Sequence, residues 1–90
     1  MHSLIKGEKR EIPVEIVNSL GSAFTIATAT WATSVESGNC TINNTTKQVS
    51  AFVDTSKDGY KVGDIHTVEY TVTITGLSKV IKGRVGLYIV

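Results

Sequence analysis

The sequence predicts an all-β fold, a sandwich of six to seven short antiparallel strands over residues 1–90, with a small β-barrel as the alternative closure. Three observations predict it. From Ile65 to Thr75, polar and apolar residues alternate after the opening Ile65-His66 pair, which is the period of a half-buried strand. Turn-forming residues recur at roughly 8 to 12 residue intervals, as in sandwiches and small barrels. No segment sustains the apolar period of an amphipathic helix.

The Ile65–Thr75 run places Val68, Tyr70, Val72 and Ile74 on one face with His66 at its start, and threonines with Glu69 on the water-facing side. Gly76-Leu77-Ser78-Lys79 then breaks the pattern. Val80–Val90 resumes it, with Ile81, Val85, Leu87 and Ile89 on one face and Lys82, Arg84 and Tyr88 on the other. The two runs are expected to form an antiparallel hairpin, whose Gly83 and Gly86 suggest a bulge or a close backbone approach.

Upstream, Glu11–Val17 reads as a strand with Ile12, Val14 and Ile16 inward. Pro13 has no amide to give a ladder, so this strand belongs at a sheet edge. Asn18–Ser22 reads as a turn, and Phe24–Thr33 as a strand with Ala27, Ala29 and Trp31 on one face and Ile26, Thr28 and Thr30 on the other. Trp31 is the first candidate for the centre of the core. Ser37-Gly38-Asn39 reads as a break, Cys40–Ile42 as a short strand, and Gln48–Val53 as a strand with Val49, Ala51 and Val53 inward. Asp54–Gly63 is the longest polar connection.

With 41% hydrophobic and 19% charged residues, the chain has enough apolar surface to offset the entropy of ordering, so it is expected to fold as one domain. The net charge of +1 concentrates no field for nucleic acid or anionic lipid, and neither is expected as a partner. Lys6, Lys9 and Arg10 are interrupted by Glu8 and Glu11 and read as a solvated lead-in to a loose terminus. No run approaches the roughly 20 apolar residues of a membrane span, and no signal peptide is visible. Cys40 is the sole cysteine, so no intrachain disulfide is expected.

Chemical motifs are sparse. Asp54, Ser56 and Asp58, followed by Gly59, carry oxygens at alternate positions as calcium loops do. Ile65 stands where the bidentate acid belongs and Lys57 brings a positive charge, so a plain connection is favoured and no metal is expected. Cys40 lacks a sequence context that would lower its pKa or orient a base. The acids do not pair and no phosphate-binding glycine loop occurs, so neither a catalytic residue nor a cofactor is expected. Asn39, Asn43 and Asn44 match glycosylation acceptors, as an asparagine- and threonine-rich stretch does by composition.

Trp31 in an early strand, Asp58-Gly59-Tyr60-Lys61-Val62-Gly63 before a long strand, Val68-Glu69-Tyr70-Thr71-Val72, and the closing hairpin together resemble bacterial and phage immunoglobulin-like domains. The antibody-type disulfide is absent, and Ile65-His66 occupy the place where a tyrosine corner begins. A threonine-rich domain of this kind is similar to the small structural proteins of tailed phages and prophages. That resemblance implies a non-enzymatic virion component, located in the virion, that joins other virion proteins or itself through edge strands. The alternative is an adhesive or ligand-binding module at a bacterial cell surface. Tyr60, Tyr88 and Arg84 are the interaction candidates, the tyrosines because they offer stacking area and a polar tip.

Overall fold

The computed structural model describes residues 2–17, 23–76 and 80–90. Eight strands follow in chain order: β1 (His2–Leu4), β2 (Lys9–Glu15), β3 (Ile26–Ala32), β4 (Ser37–Asn39), β5 (Thr41–Asn43), β6 (Gln48–Asp54), β7 (Ile65–Ile74) and β8 (Val80–Ile89). They form a five-stranded sheet, ordered β1-β8-β7-β3-β4, and a three-stranded sheet, ordered β2-β6-β5. The result is an all-β, sandwich-like fold whose sheets do not merge into a barrel.

The expected hairpin is present, with Ile65 opposite Tyr88 and Thr73 opposite Val80, and its register runs without a bulge past both glycines. Residues 77–79 of the connecting break and the Asn18–Ser22 turn lie outside the described residues. Inward-facing Leu4, Ile26, Ala29, Trp31, Val68, Tyr70, Val72, Ile74, Leu87 and Ile89 of the larger sheet meet Ile12, Val49, Ala51 and Val53 of the smaller one in one apolar cluster. Each fully buried aliphatic side chain contributes about 1.5–3 kcal/mol. The Tyr70 hydroxyl crosses this core and donates to the Ile12 carbonyl at 2.7 Å, so the phenol is buried without losing its hydrogen bond.

Trp31 is buried, but it sits toward one side of the core. It lies opposite Tyr70 on β7 and Gly38 on β4. A Cβ on Gly38 would approach the indole Nε1 to 3.3 Å, so the absent side chain is what lets the ring lie over the edge strand.

Four expectations are corrected. His2–Leu4 is not a loose lead-in. It pairs in parallel with β8, which makes the fold not wholly antiparallel, and its Leu4 is fully buried. Three residues are too few to display a period, so this strand left no pattern to read. Ser37-Gly38-Asn39 is strand β4 rather than a break, because its pairing with β3 outweighs the turn preference of its residues. The short strand that follows is Thr41–Asn43, with Cys40 at the step between the two sheets. Finally, a register shift between Ile26 and Thr28 turns Ala27 outward and Ile26 inward, so Ile26 shares the buried face with Ala29 and Trp31.

Candidate functional site

The outer face of the five-stranded sheet is built by the same alternation that builds the core. Register places Arg84, Glu69, Ala32 and Ser37 in one row across β8, β7, β3 and β4, and Lys82, Thr71, Thr30 and Asn39 in the next. Because the side chains on β3 and β4 are small, this part of the face is a shallow, open depression of about 810 Å³. Glu69 lies between the two cations, at 3.8 Å from Lys82 Nζ and 3.7 Å from Arg84 Nε, while Lys82 also donates to Thr71 Oγ1 at 2.8 Å. These exposed, salt-screened pairs add little stability. Thr28 and Thr73 share a short hydroxyl hydrogen bond further along.

At the other end of this face the surface is apolar. Tyr88, 39% exposed, lies opposite Ile65, 65% exposed, and the backbone bonds from Val90 N to Leu4 O and from Lys6 N to Val90 O set Val90 level with Ile5. Ile5, Ile65, Tyr88 and Val90 therefore form a contiguous exposed group beside a charged, hydroxyl-rich field.

Of the three residues singled out as interaction candidates, Arg84 and Tyr88 share this face, four positions apart on β8. Tyr60 does not join them. It is 0% exposed, shares a 2.7 Å hydrogen bond with Thr33 Oγ1, and meets the His66 ring edge-on at 4.9 Å, so it closes one end of the core and offers no stacking platform. Burial pushes its phenol well above the ordinary tyrosine range, as it does that of Tyr70. Ile5 was missed because no periodic pattern reaches it, and Val90 because it stands at the last position of the Val80–Val90 pattern, in phase with Tyr88, where only Lys82, Arg84 and Tyr88 drew notice. Ile65 was visible as an apolar residue in phase with the threonines.

The Asp54–Gly63 connection is organised as a structural loop. The Asp54 carboxylate accepts from Ser56 N at 3.0 Å and from Ser56 Oγ, an Asx turn that holds its pKa below the ordinary carboxylate range. Between Asp54 and Ser56, Thr55 points inward and donates to Ile5 O at 3.0 Å and Glu8 O at 2.6 Å. Among the described residues, no three His, Cys, Asp or Glu side chains gather as a metal-holding group. Lys6, expected to be solvated, donates to Lys57 O at 2.8 Å and Tyr60 O at 2.6 Å and so anchors the loop to the N-terminal strand.

Cys40 is partly buried, and desolvation pushes its thiol up to about 11, which leaves little thiolate near neutral pH. His66 Nδ1 shares a 3.1 Å hydrogen bond with Ser34 Oγ, and its Nε2 lies 3.5 Å from Asp64 Oδ2. Asn43 Oδ1 caps the following turn by accepting from Thr45 N and Thr46 N, and Asn44 brackets Ile26 by accepting from its amide at 2.8 Å and donating to its carbonyl at 3.3 Å.

No protein-family model matches this chain, and no curated protein or solved structure matches it either.

Proposed function

We propose that this chain is a non-enzymatic assembly module, an immunoglobulin-like sandwich of the kind that tailed phages and prophages use as a virion component. It binds protein partners through the outer face of its five-stranded sheet. The observation that carries this reading is the exposed group Ile5, Ile65, Tyr88 and Val90 beside the Lys82–Glu69–Arg84 charges. An aromatic and aliphatic group flanked by charges on one side suits a protein-binding patch, in which the apolar part supplies affinity and the charges select orientation.

The test is mass spectrometry of particles purified from the producing cells. Peptides of this chain should co-purify with the capsid or tail proteins through a density gradient. Their presence in the soluble fraction alone overturns the virion reading.

A second reading, an adhesive or ligand-binding module at a bacterial surface, is favoured by the open depression with its hydroxyl, amide and charged groups, a set suited to a glycan. A glycan array distinguishes it. Binding that is lost on Arg84→Ala or Thr71→Val would support a ligand site on this face, and an array without hits would remove it.

A further inference from the structure

A two-sheet sandwich has four edges, and this one treats them unequally. On β1, the backbone groups of Leu4 and Lys6 turn toward β8, so those of Ser3 and Ile5 turn outward. Three of these four groups are taken: Arg10 Nη1 reaches Ser3 O at 3.4 Å, Glu8 Oε1 accepts from Ile5 N at 3.0 Å, and Ile5 O accepts from both Glu8 N and Thr55 Oγ1. On β2, Glu8 O accepts from Thr55 N and Ile16 N donates to Lys47 O, which fixes the alternation. Lys9, Glu11, Pro13 and Glu15 therefore face the open side, where Pro13 removes one donor and charges flank it. On β5, pairing of Thr41 and Asn43 with β6 leaves Ile42 as the one residue of the strand facing out.

Strand β4 carries none of these devices. Thr33 N donates to Glu36 O and Cys40 N to Ala29 O, so the 31/38 pair completes the inward ladder and the N–H and C=O of both Ser37 and Asn39 point away from β3. Among the described residues nothing engages them; Ser37, Gly38 and Asn39 bring no charge to this edge, and the flanking Glu36 turns its carboxylate to the Asp54 amide at 3.2 Å. Proteins that must stay apart block their edges with charge, proline or cover. Here two of the four are visibly blocked, a third exposes one residue, and β4 is open.

We infer that β4 pairs with β4 of a second copy, antiparallel about a two-fold axis through Gly38. Outward groups at Ser37 and Asn39, equally spaced about Gly38, are self-complementary. Ser37 of each copy faces Asn39 of the other and exchanges two main-chain hydrogen bonds with it, four in all, and the two five-stranded sheets become one sheet of ten. A second copy is favoured as occupant because this match of donors to acceptors, on an edge free of like charges, is supplied by the chain itself. Four bonds and a short strand make a weak dimer, suited to the high local concentration of an assembled particle. The inference rests on the assembly reading and specifies one contact within it.

Sedimentation velocity across micromolar to millimolar concentrations tests it with three proteins. Wild type should dimerise reversibly. The double variant Ser37→Lys/Asn39→Lys sets lysine against lysine at both facing positions and should weaken the dimer by about tenfold or more. Ser37→Asp/Asn39→Lys sets opposite charges there and should restore it. Positions 37 and 39 are both exposed, and matched melting temperatures show that the fold is kept. A wild type that stays monomeric at every concentration, or a dimer indifferent to the paired lysines, overturns the inference. Neither result touches the presence of the chain in purified particles, so the assembly reading stands or falls separately.

Discussion

Glu8 closes the outer edge of β1 by accepting the Ile5 amide on Oε1 at 3.0 Å, while its Oε2 holds Arg10 Nε at 2.8 Å. One carboxylate thus occupies a backbone donor that would otherwise be free to pair with another chain and orients the guanidinium that covers the next carbonyl.

Acid should open this edge. The Ile5 amide, and then Arg10, hold the Glu8 carboxyl below its ordinary range, and the Asx turn with Ser56 does the same for Asp54. Groups whose folded pKa is lowered contribute their stabilisation above the unfolded value and lose it as pH falls through the folded one. Hydrogen exchange at Ile5 N should therefore accelerate relative to the core amides as pH drops below about 4, after correction for intrinsic rates. Glu8→Ala should reproduce the effect at neutral pH.

At the alkaline end the buried phenols dominate. Desolvation raises Tyr60 and Tyr70, so the folded state holds these protons more tightly than the unfolded chain. Their stabilisation is complete below the unfolded value of about 10 and is lost as pH rises through the folded one. Ultraviolet titration should show two of the three tyrosines ionising together with the loss of circular dichroism. Independent, reversible ionisation of all three would contradict their burial.

Gly59 should not tolerate a side chain. A Cβ there would stand 2.7 and 2.8 Å from the methyls of Val35, which packs against the core, so Gly59→Ala must displace that residue. A loss of about 1–3 kcal/mol in urea unfolding is expected, and Val35→Ala in the same chain should recover part of it.

Leu4 reports on the N-terminal strand. It is fully buried and paired with Ile89 of β8, and the residues that follow it are tied to the Asp54–Gly63 connection, Lys6 Nζ donating to Lys57 O and Thr55 Oγ1 donating to Ile5 O. Leu4→Ala should cost about 2–5 kcal/mol, as for other buried leucines. A chain lacking this contact would lose well under one.

The contrast between β7 and β1 explains how much of the fold was legible in the sequence. The alternation from Thr67 to Ile74 on β7 exposed both faces and the hairpin partner, and Pro13 marked β2 as an edge. Three residues on β1 carry no period, and β4 has the composition of a turn. Their strands exist through pairing partners 85 and 7 positions away at His2↔Leu87 and Trp31↔Gly38. The inversion of Ile26 and Ala27 comes from a bulge, which a period cannot announce. For the site, Arg84 and Tyr88 were readable because they share a strand face. Tyr60 was not, since its burial depends on Thr33 and His66 from other segments. Ile5 joined the surface through the parallel pairing of β1 with β8.

The most direct measurement of the assembly reading is the incorporation of a face variant into purified particles. Ile65→Ser/Tyr88→Ser removes two exposed apolar side chains, so the melting temperature should stay close to wild type. Particle content of the chain, quantified against capsid protein by mass spectrometry, should fall by roughly tenfold, the loss of about 1.4 kcal/mol of binding. Incorporation equal to wild type would contradict the assignment of this face as the contact surface.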